Sequence, residues 1–172
     1  MLGAIIPGLS KLKIMCDLGC SSSGTIIIDH PLSLDPINLL LCKNILDYDP
    51  SRAARFGRFP RHGPINVAWV EIDDSFVVSY TANAWDDAAG QGNRLNLLAC
   101  RMNSATLIYT AGNMQSPANA LPKGKSEAEK CHLYYWCFED EGKLATEFTH
   151  SNVPIEVPSL NPSSIMNVAA FI

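Results

Sequence analysis

A chain of 172 residues has room for one domain of ordinary size. Its apolar fraction of 47% is that of a globular protein, while a charged fraction of only 17% favours a subunit whose faces are covered by neighbours. A net charge of −4 excludes a basic nucleic-acid-binding domain, and no run approaches the roughly 20 apolar residues of a membrane span, so no membrane partner is expected.

The opening stretch MLGAIIPGLS (1–10) is apolar but broken by Gly3, Pro7 and Gly8, which predicts an irregular arm. It also lacks the basic n-region of a secretion signal, and an intracellular protein is expected. KLKIMC (11–16) alternates as a half-buried strand does, CSSSG (20–24) is a turn, and GTIIIDH (24–30) predicts a strand buried on both faces. INLLLCKNIL (37–46) reads as a short helix, and DYDPSRAARFGRFPRHGP (47–64), with three prolines and two glycines, as a long exposed loop.

INVAWVEI (65–72) and FVVSYTA (76–82) alternate clearly. The short link Asp73-Asp74-Ser75 predicts a hairpin between them, with Trp69 buried. WDDAAGQGN (85–93) suggests one helical turn, and RLNLLACR (94–101) and ATLIYT (105–110) two further strands. After a polar loop at 112–130, CHLYYWCFED (131–140) predicts a strand with Trp136 buried, followed by LATEFTH (144–150) and IEVPS (155–159). Residues 159–172 form an extended tail behind a domain at 11–158. About eight antiparallel strands, one or two short helices, no βαβ alternation and two long connections predict an all-β jelly-roll sandwich.

Catalytic motifs are missing. His30, His62, His132 and His150 are scattered without HExxH spacing, no GxSxG elbow occurs, and the glycines at 90–92 lack the spacing of a phosphate loop. Acidic pairs such as Asp73/Asp74 and Asp86/Asp87 fall at turns, where solvated corners are the default. Neither an enzyme nor a cofactor nor a metal is therefore expected. Of six cysteines, Cys42, Cys100 and Cys137 lie within apolar runs, which reads as reduced thiols used as small hydrophobes.

One constellation is concentrated. Arg52, Arg55, Arg58 and Arg61 recur every third residue, interleaved with Phe56 and Phe59. Such a strip can grip phosphates while its rings stack on bases, or it can meet a neighbouring chain; both stay open.

With its proline-broken arm, its strands, the helical insert after the second strand and the tail SNVPIEVPSLNPSSIMNVAAFI, the chain resembles the jelly-roll coat proteins of plant picorna-like viruses, the secovirids. The resemblance implies a structural subunit of an icosahedral plant-virus capsid. Such a subunit assembles in the host cytoplasm with other capsid chains around genomic RNA, resides in the virion, and uses both chain ends as exchange arms. A stand-alone β-sandwich binding module, lectin-like or an effector, is the alternative.

Overall fold

The computed structural model describes residues 5–15, 17–87, 94–112, 114–115, 130–139 and 143–168. In chain order these form β1 (Leu12–Lys13), β2 (Gly19–Cys20), β3 (Gly24–Asp29), β4 (Leu32–Leu34), α1 (Pro36–Leu40) and β5 (Leu46–Tyr48). There follow β6 (Arg55–Pro60), β7 (Ala68–Glu71), β8 (Val77–Asp86), β9 (Leu95–Met102), α2 (Thr106–Ala111), β10 (His132–Glu139) and β11 (Lys143–Pro154), with a closing 3-10 turn at Pro162–Ser164. The described residues are mostly antiparallel sheet with two short helices, the all-β class that the patterning predicts.

Among the described residues the strands form three sheets, ordered β1-β4-β5, β2-β3-β6-β7 and β11-β10-β9-β8. The last joins its strands in chain order, as a meander does. A jelly roll instead pairs strands from distant parts of the chain across two sheets, so the predicted sandwich and the observed connectivity differ.

β9 shows why the sequence folds this way. All eight of its residues are buried, because the strand lies inside its sheet and both faces are covered. Period-2 alternation sends Leu95, Leu97 and Ala99 to a core shared with Phe56, Phe76, Trp136 and Phe138 from both four-stranded sheets. Leu98, Cys100 and Met102 enter a second core with Leu32, Tyr48, Tyr109 and Leu133. Rings dominate the first core: Phe56 lies 5.1 Å from both Trp136 and Phe138, and Phe76 stacks on Trp136 at 5.6 Å. β11 ends its sheet, and its side chains are largely exposed.

Several elements differ from expectation, each for a local reason. Where a strand is predicted at 105–110, the chain forms α2: the Ser104 hydroxyl accepts from the Thr106 amide at 3.1 Å, and Ala105, just before the helix, and Tyr109, four apart, are the buried pair. β7 and β8 are not a hairpin. β7 pairs with β6 and β8 with β9, so the Asp73–Ser75 link carries the chain from one sheet to the other. Backbone bonds from Ala54 to Asp74 and from Ile72 to Ala54 secure that crossing.

The stretch at 47–64 contains β6, which pairs with β3 over its whole length. β8 continues through Trp85 and Asp86, where a helical turn is predicted, and residues 88–93 lie outside the described set. No strand forms at 155–159, the first strand shrinks to Leu12–Lys13, and Trp69 is half-buried whereas Trp136 is fully buried. Most of the loop at 112–130 lies outside the described residues, as does Phe171.

The ends are tied to the body. Trp69 Nε1 donates to the Pro7 carbonyl at 3.2 Å. The Asn83 amide donates to the carbonyls of Ser164 and Asn167, at 3.3 and 2.8 Å, and its oxygen accepts from the Met166 amide at 3.1 Å. A further clasp joins the sheets: the hydroxyls of Ser21, Ser22 and Ser23 and the Ser23 amide all donate to the Asp86 carboxylate, at 2.6 to 2.9 Å.

Candidate functional site

The arginine strip does not form one surface. Strand alternation in β6 puts Phe56 into the ring core, with Arg58 on the same face donating to the Glu139 carbonyl at 3.2 Å. Arg55, on the opposite face, stacks over Trp69 at 4.1 Å, and Phe59 is half-buried there. Arg61 leaves the strand end to donate to the Ser21 carbonyl at 3.0 Å.

Arg52 and Arg55 converge instead on Asp29. This carboxylate is 1% exposed and also meets the Lys13 ammonium at 2.9 Å. Burial alone would raise the Asp29 pKa, but hydrogen bonds from Lys13 and Arg55 and the nearby charges hold it below the ordinary value. Next to it, burial and the Lys13 charge push His30 down to about 4, so the imidazole is neutral near pH 7. Its Nδ1 accepts from the Leu32 amide at 3.4 Å. The Asp29 carboxylate is thus engaged by three cations, and the cluster ties β1, β3 and β6 together.

A different place is shaped to receive a ligand. Between α2, the middle of β8 and the entry to β10 lies a groove of about 500 Å³. Its walls are chiefly apolar, with Met102, Leu107, Ile108, Ala111 and Val157, and Tyr80 stands at its side. Local sequence explains the shape. α2 spends Tyr109 on the core, where its hydroxyl donates to the Leu46 carbonyl at 3.2 Å and burial pushes its pKa up to about 12. The helix thereby turns Leu107 and Ile108 toward the groove. The Ile155 amide donates to the Cys131 carbonyl at 2.8 Å and holds Glu156 and Val157 along the opposite wall.

The polar groups there are few: Ser79, Thr110, Glu156, the Tyr80 hydroxyl and the Cys131 thiol. Ser79 Oγ lies 3.5 Å from Cys131 Sγ. A hydrogen bond from the Cys100 thiol lowers the Cys131 pKa against the opposing effect of burial, and the same bond raises Cys100. An apolar trough with a small polar set suits a hydrocarbon ligand bearing little charge.

None of these wall residues is a sequence-predicted site residue. The signal that could have found them is the i, i+4 spacing of Ala105 and Tyr109, which turns an apparent strand into a helix with a second apolar face. Cys20, Cys42, Cys100, Cys131 and Cys137 are unpaired, and Cys16 lies outside the described residues. Among the described residues no helix is long and apolar enough to cross a membrane.

Relatives of known kind identify the chain's lineage. The family model for RPE65, described as retinal pigment epithelial membrane protein, matches residues 5–172. The carotenoid dioxygenase carX of Gibberella fujikuroi is 33% identical over an alignment covering 96% of this chain and 30% of that protein. A carotenoid 9,10(9',10')-cleavage dioxygenase of Crocus sativus is 27% identical, with 87% of this chain and 26% of the relative covered. The chain thus spans about a third or less of the length of the curated relatives it matches.

Among solved structures, the lignostilbene dioxygenase of Pseudomonas brassicacearum superposes with a TM-score of 0.69 at 16% identity, covering 91% of this chain and 31% of the other. A cobalt-substituted Synechocystis oxygenase gives 0.67 at 13% identity, over 89% and 30%. These likenesses concern the fold.

These findings overturn the capsid reading: the relatives are cellular oxygenases, so a virion location, capsid-chain partners and packaged RNA fall with it. The expectation of a non-enzymatic protein falls as well, because the matching relatives are enzymes, and a stand-alone binding module is equally unsupported. The jelly-roll likeness rested on strand count and irregular ends, which many β proteins share. With its family model matched from residue 5 to residue 172, this chain belongs to the RPE65 family of carotenoid-oxygenase-like proteins.

Proposed function

We propose that this chain is part of an oxygenase that cleaves a conjugated double bond in an apolar polyene of the carotenoid class, and that the groove beside α2 receives the hydrocarbon. The 33% identity with a carotenoid dioxygenase over 96% of the chain carries this reading. The groove supports it chemically: a polyene offers no hydrogen bonds, and Leu107, Ile108, Met102 and Val157 ask for none. On this reading the two four-stranded sheets are neighbouring blades of a larger propeller in place of a jelly roll. Their face-to-face core and the meander order of β8 to β11 support that.

A cobalt-substituted relative points to metal chemistry in the fold family. Among the described residues no three His, Cys, Asp or Glu side chains come together as a metal-holding group. His30 already has its Nδ1 engaged and is walled in by Lys13 and Arg52. The residues present do not fit a complete metal centre, and no step is assigned to one here. What this segment supplies is binding: α2 and β8 hold the chain of carbons and exclude water from it.

Titration with retinol, a fluorescent polyene alcohol, tests the reading. Saturable enhancement is expected with the 172-residue chain, weakened about tenfold or more by Ile108→Asp, since one buried aliphatic contributes roughly 1.5–3 kcal/mol. Non-saturable uptake, or an unchanged affinity in the variant, would overturn it.

A further inference from the structure

We infer that residues 156–163 form a strap that opens and closes the apolar groove, latched at its far end by Asn83. The chemical class of what passes beneath it rests on the function proposed above; the strap itself rests on geometry.

Two anchors hold this segment to the body. At the near end the Ile155 amide donates to the Cys131 carbonyl at 2.8 Å, one residue before β10. At the far end Asn83, on β8, takes the chain at three points: its side-chain nitrogen donates to the Ser164 and Asn167 carbonyls, and its oxygen accepts from the Met166 amide. Among the described residues no hydrogen bond joins 156–163 to the body, and the bonds from Ser163 and Ser164 to Asn161 stay within the tail. Pro158 and Pro162 fix their own φ, which stiffens the span. That span carries groove wall. Glu156 and Val157 line the groove opposite α2, and Val157 is 71% exposed. With an apolar ligand in place, closure covers Val157 and the ligand together, so burial favours the closed strap once the groove is filled.

The latch is strong at Asn83 and strained at Met166. Asn83 is 5% exposed, and all three of these bonds go to the tail, so releasing the tail strands a buried amide. Met166 works in the other direction. Its φ of 62° lies in the left-handed region that residues with a side chain adopt at a cost, while its sulfur accepts from Arg61 at 2.9 Å. Opposed terms within one short turn make a clasp that can let go without disturbing the sheets.

Amide exchange and stopped-flow entry of Nile red, a neutral apolar dye, test this on the full chain. Two variants release the latch by different routes. Asn83→Ala removes the hydrogen bonds, and Met166→Val puts a β-branched side chain at a positive φ that it resists, leaving the body untouched. In each, exchange at Ser164, Met166 and Asn167 is expected to quicken at least about fivefold, with β9 and β10 amides protected as before. Entry and release of the dye should both quicken by about the same factor while its affinity shifts less than about twofold, as a gate requires and a lost wall contact does not. Ile108→Asp on the facing wall should weaken the dye, which locates it in the groove. Quickened exchange with unchanged dye rates, or unchanged exchange in Met166→Val, would overturn the inference. Should Asn83→Ala loosen β9 and β10 as well, the same criteria applied to Met166→Val decide. If the dye rates follow the latch while retinol does not bind saturably, the strap stands and the polyene reading fails. If retinol binds saturably while neither variant changes the dye rates, the strap fails and the polyene reading stands.

Discussion

The Lys13 ammonium lies 2.9 Å from the Asp29 carboxylate, and neither side chain is more than 2% exposed. With Arg52 and Arg55 also on this carboxylate, one anion holds three cations contributed by β1, β6 and the segment leading into β6. Removing the anion leaves the buried Lys13 ammonium uncompensated and facing the part-exposed guanidinium groups of Arg52 and Arg55. Asp29→Asn should therefore destabilise the fold by about 3–5 kcal/mol, read as a lower midpoint in urea unfolding at pH 7. The native Asp29 pKa lies below its ordinary value, so its stabilising contribution is complete above the ordinary carboxylate range. It fades as the pH falls through the lowered native value. The wild-type protein should lose stability on acidification in that window, and the Asn variant should show a shallower slope there.

Asp86 offers a second measurement. Burial opposes its ionisation, but the hydroxyls of Ser22, Ser23 and Ser21 outweigh this and lower its pKa. The carboxylate clamps the β2–β3 turn of one sheet to the end of β8 in the other. Asp86→Ala should cost about 1.5–3 kcal/mol. Amide exchange should quicken first at Ser23 and Gly24, with β10 amides protected nearly as before.

Gly57 tests the packing of β6 directly. A Cβ placed there would meet Ile27 Cγ1 and Val67 Cγ1 at 2.8 Å and the Trp69 ring at 3.0 Å. Gly57→Ala should destabilise by about 1–3 kcal/mol through overpacking, measured by thermal unfolding. A stabilised variant would show that the three neighbours move aside at little cost.

The strands with plain period-2 patterning were legible in the sequence: β3, β8, β9 and β10 lie close to their predicted spans because burial on both faces, or on one, leaves its mark on composition. β6 was not. Four charged or turn-forming residues in RFGRFP suggest a loop, and the strand is accommodated by partners from elsewhere in the chain: Asp29 and Trp69 neutralise and cover Arg55, and the Glu139 carbonyl accepts from Arg58. α2 was misread because a six-residue stretch carries too few periods to separate 3.6 from 2. The groove was invisible for the same reason: α2 forms one of its walls. The family, likewise, is written in no short motif that the sequence reading recognised; it emerges from similarity spread along nearly the whole chain.

β11 brings a consequence for the handling of this chain by itself. Twelve residues of strand are hydrogen-bonded to β10 on one side and end the sheet on the other, with Phe148 and Val153 exposed along it. Such an edge is a template to which a second copy can add its own strand, and one Lys and one Glu within the strand blunt it only in part. Colloidal behaviour is then governed by backbone groups along that edge more than by net charge. Aggregates seeded there should give the roughly 4.8 Å strand spacing in diffraction, and a Pro placed at an outward-facing amide of β11 should suppress them.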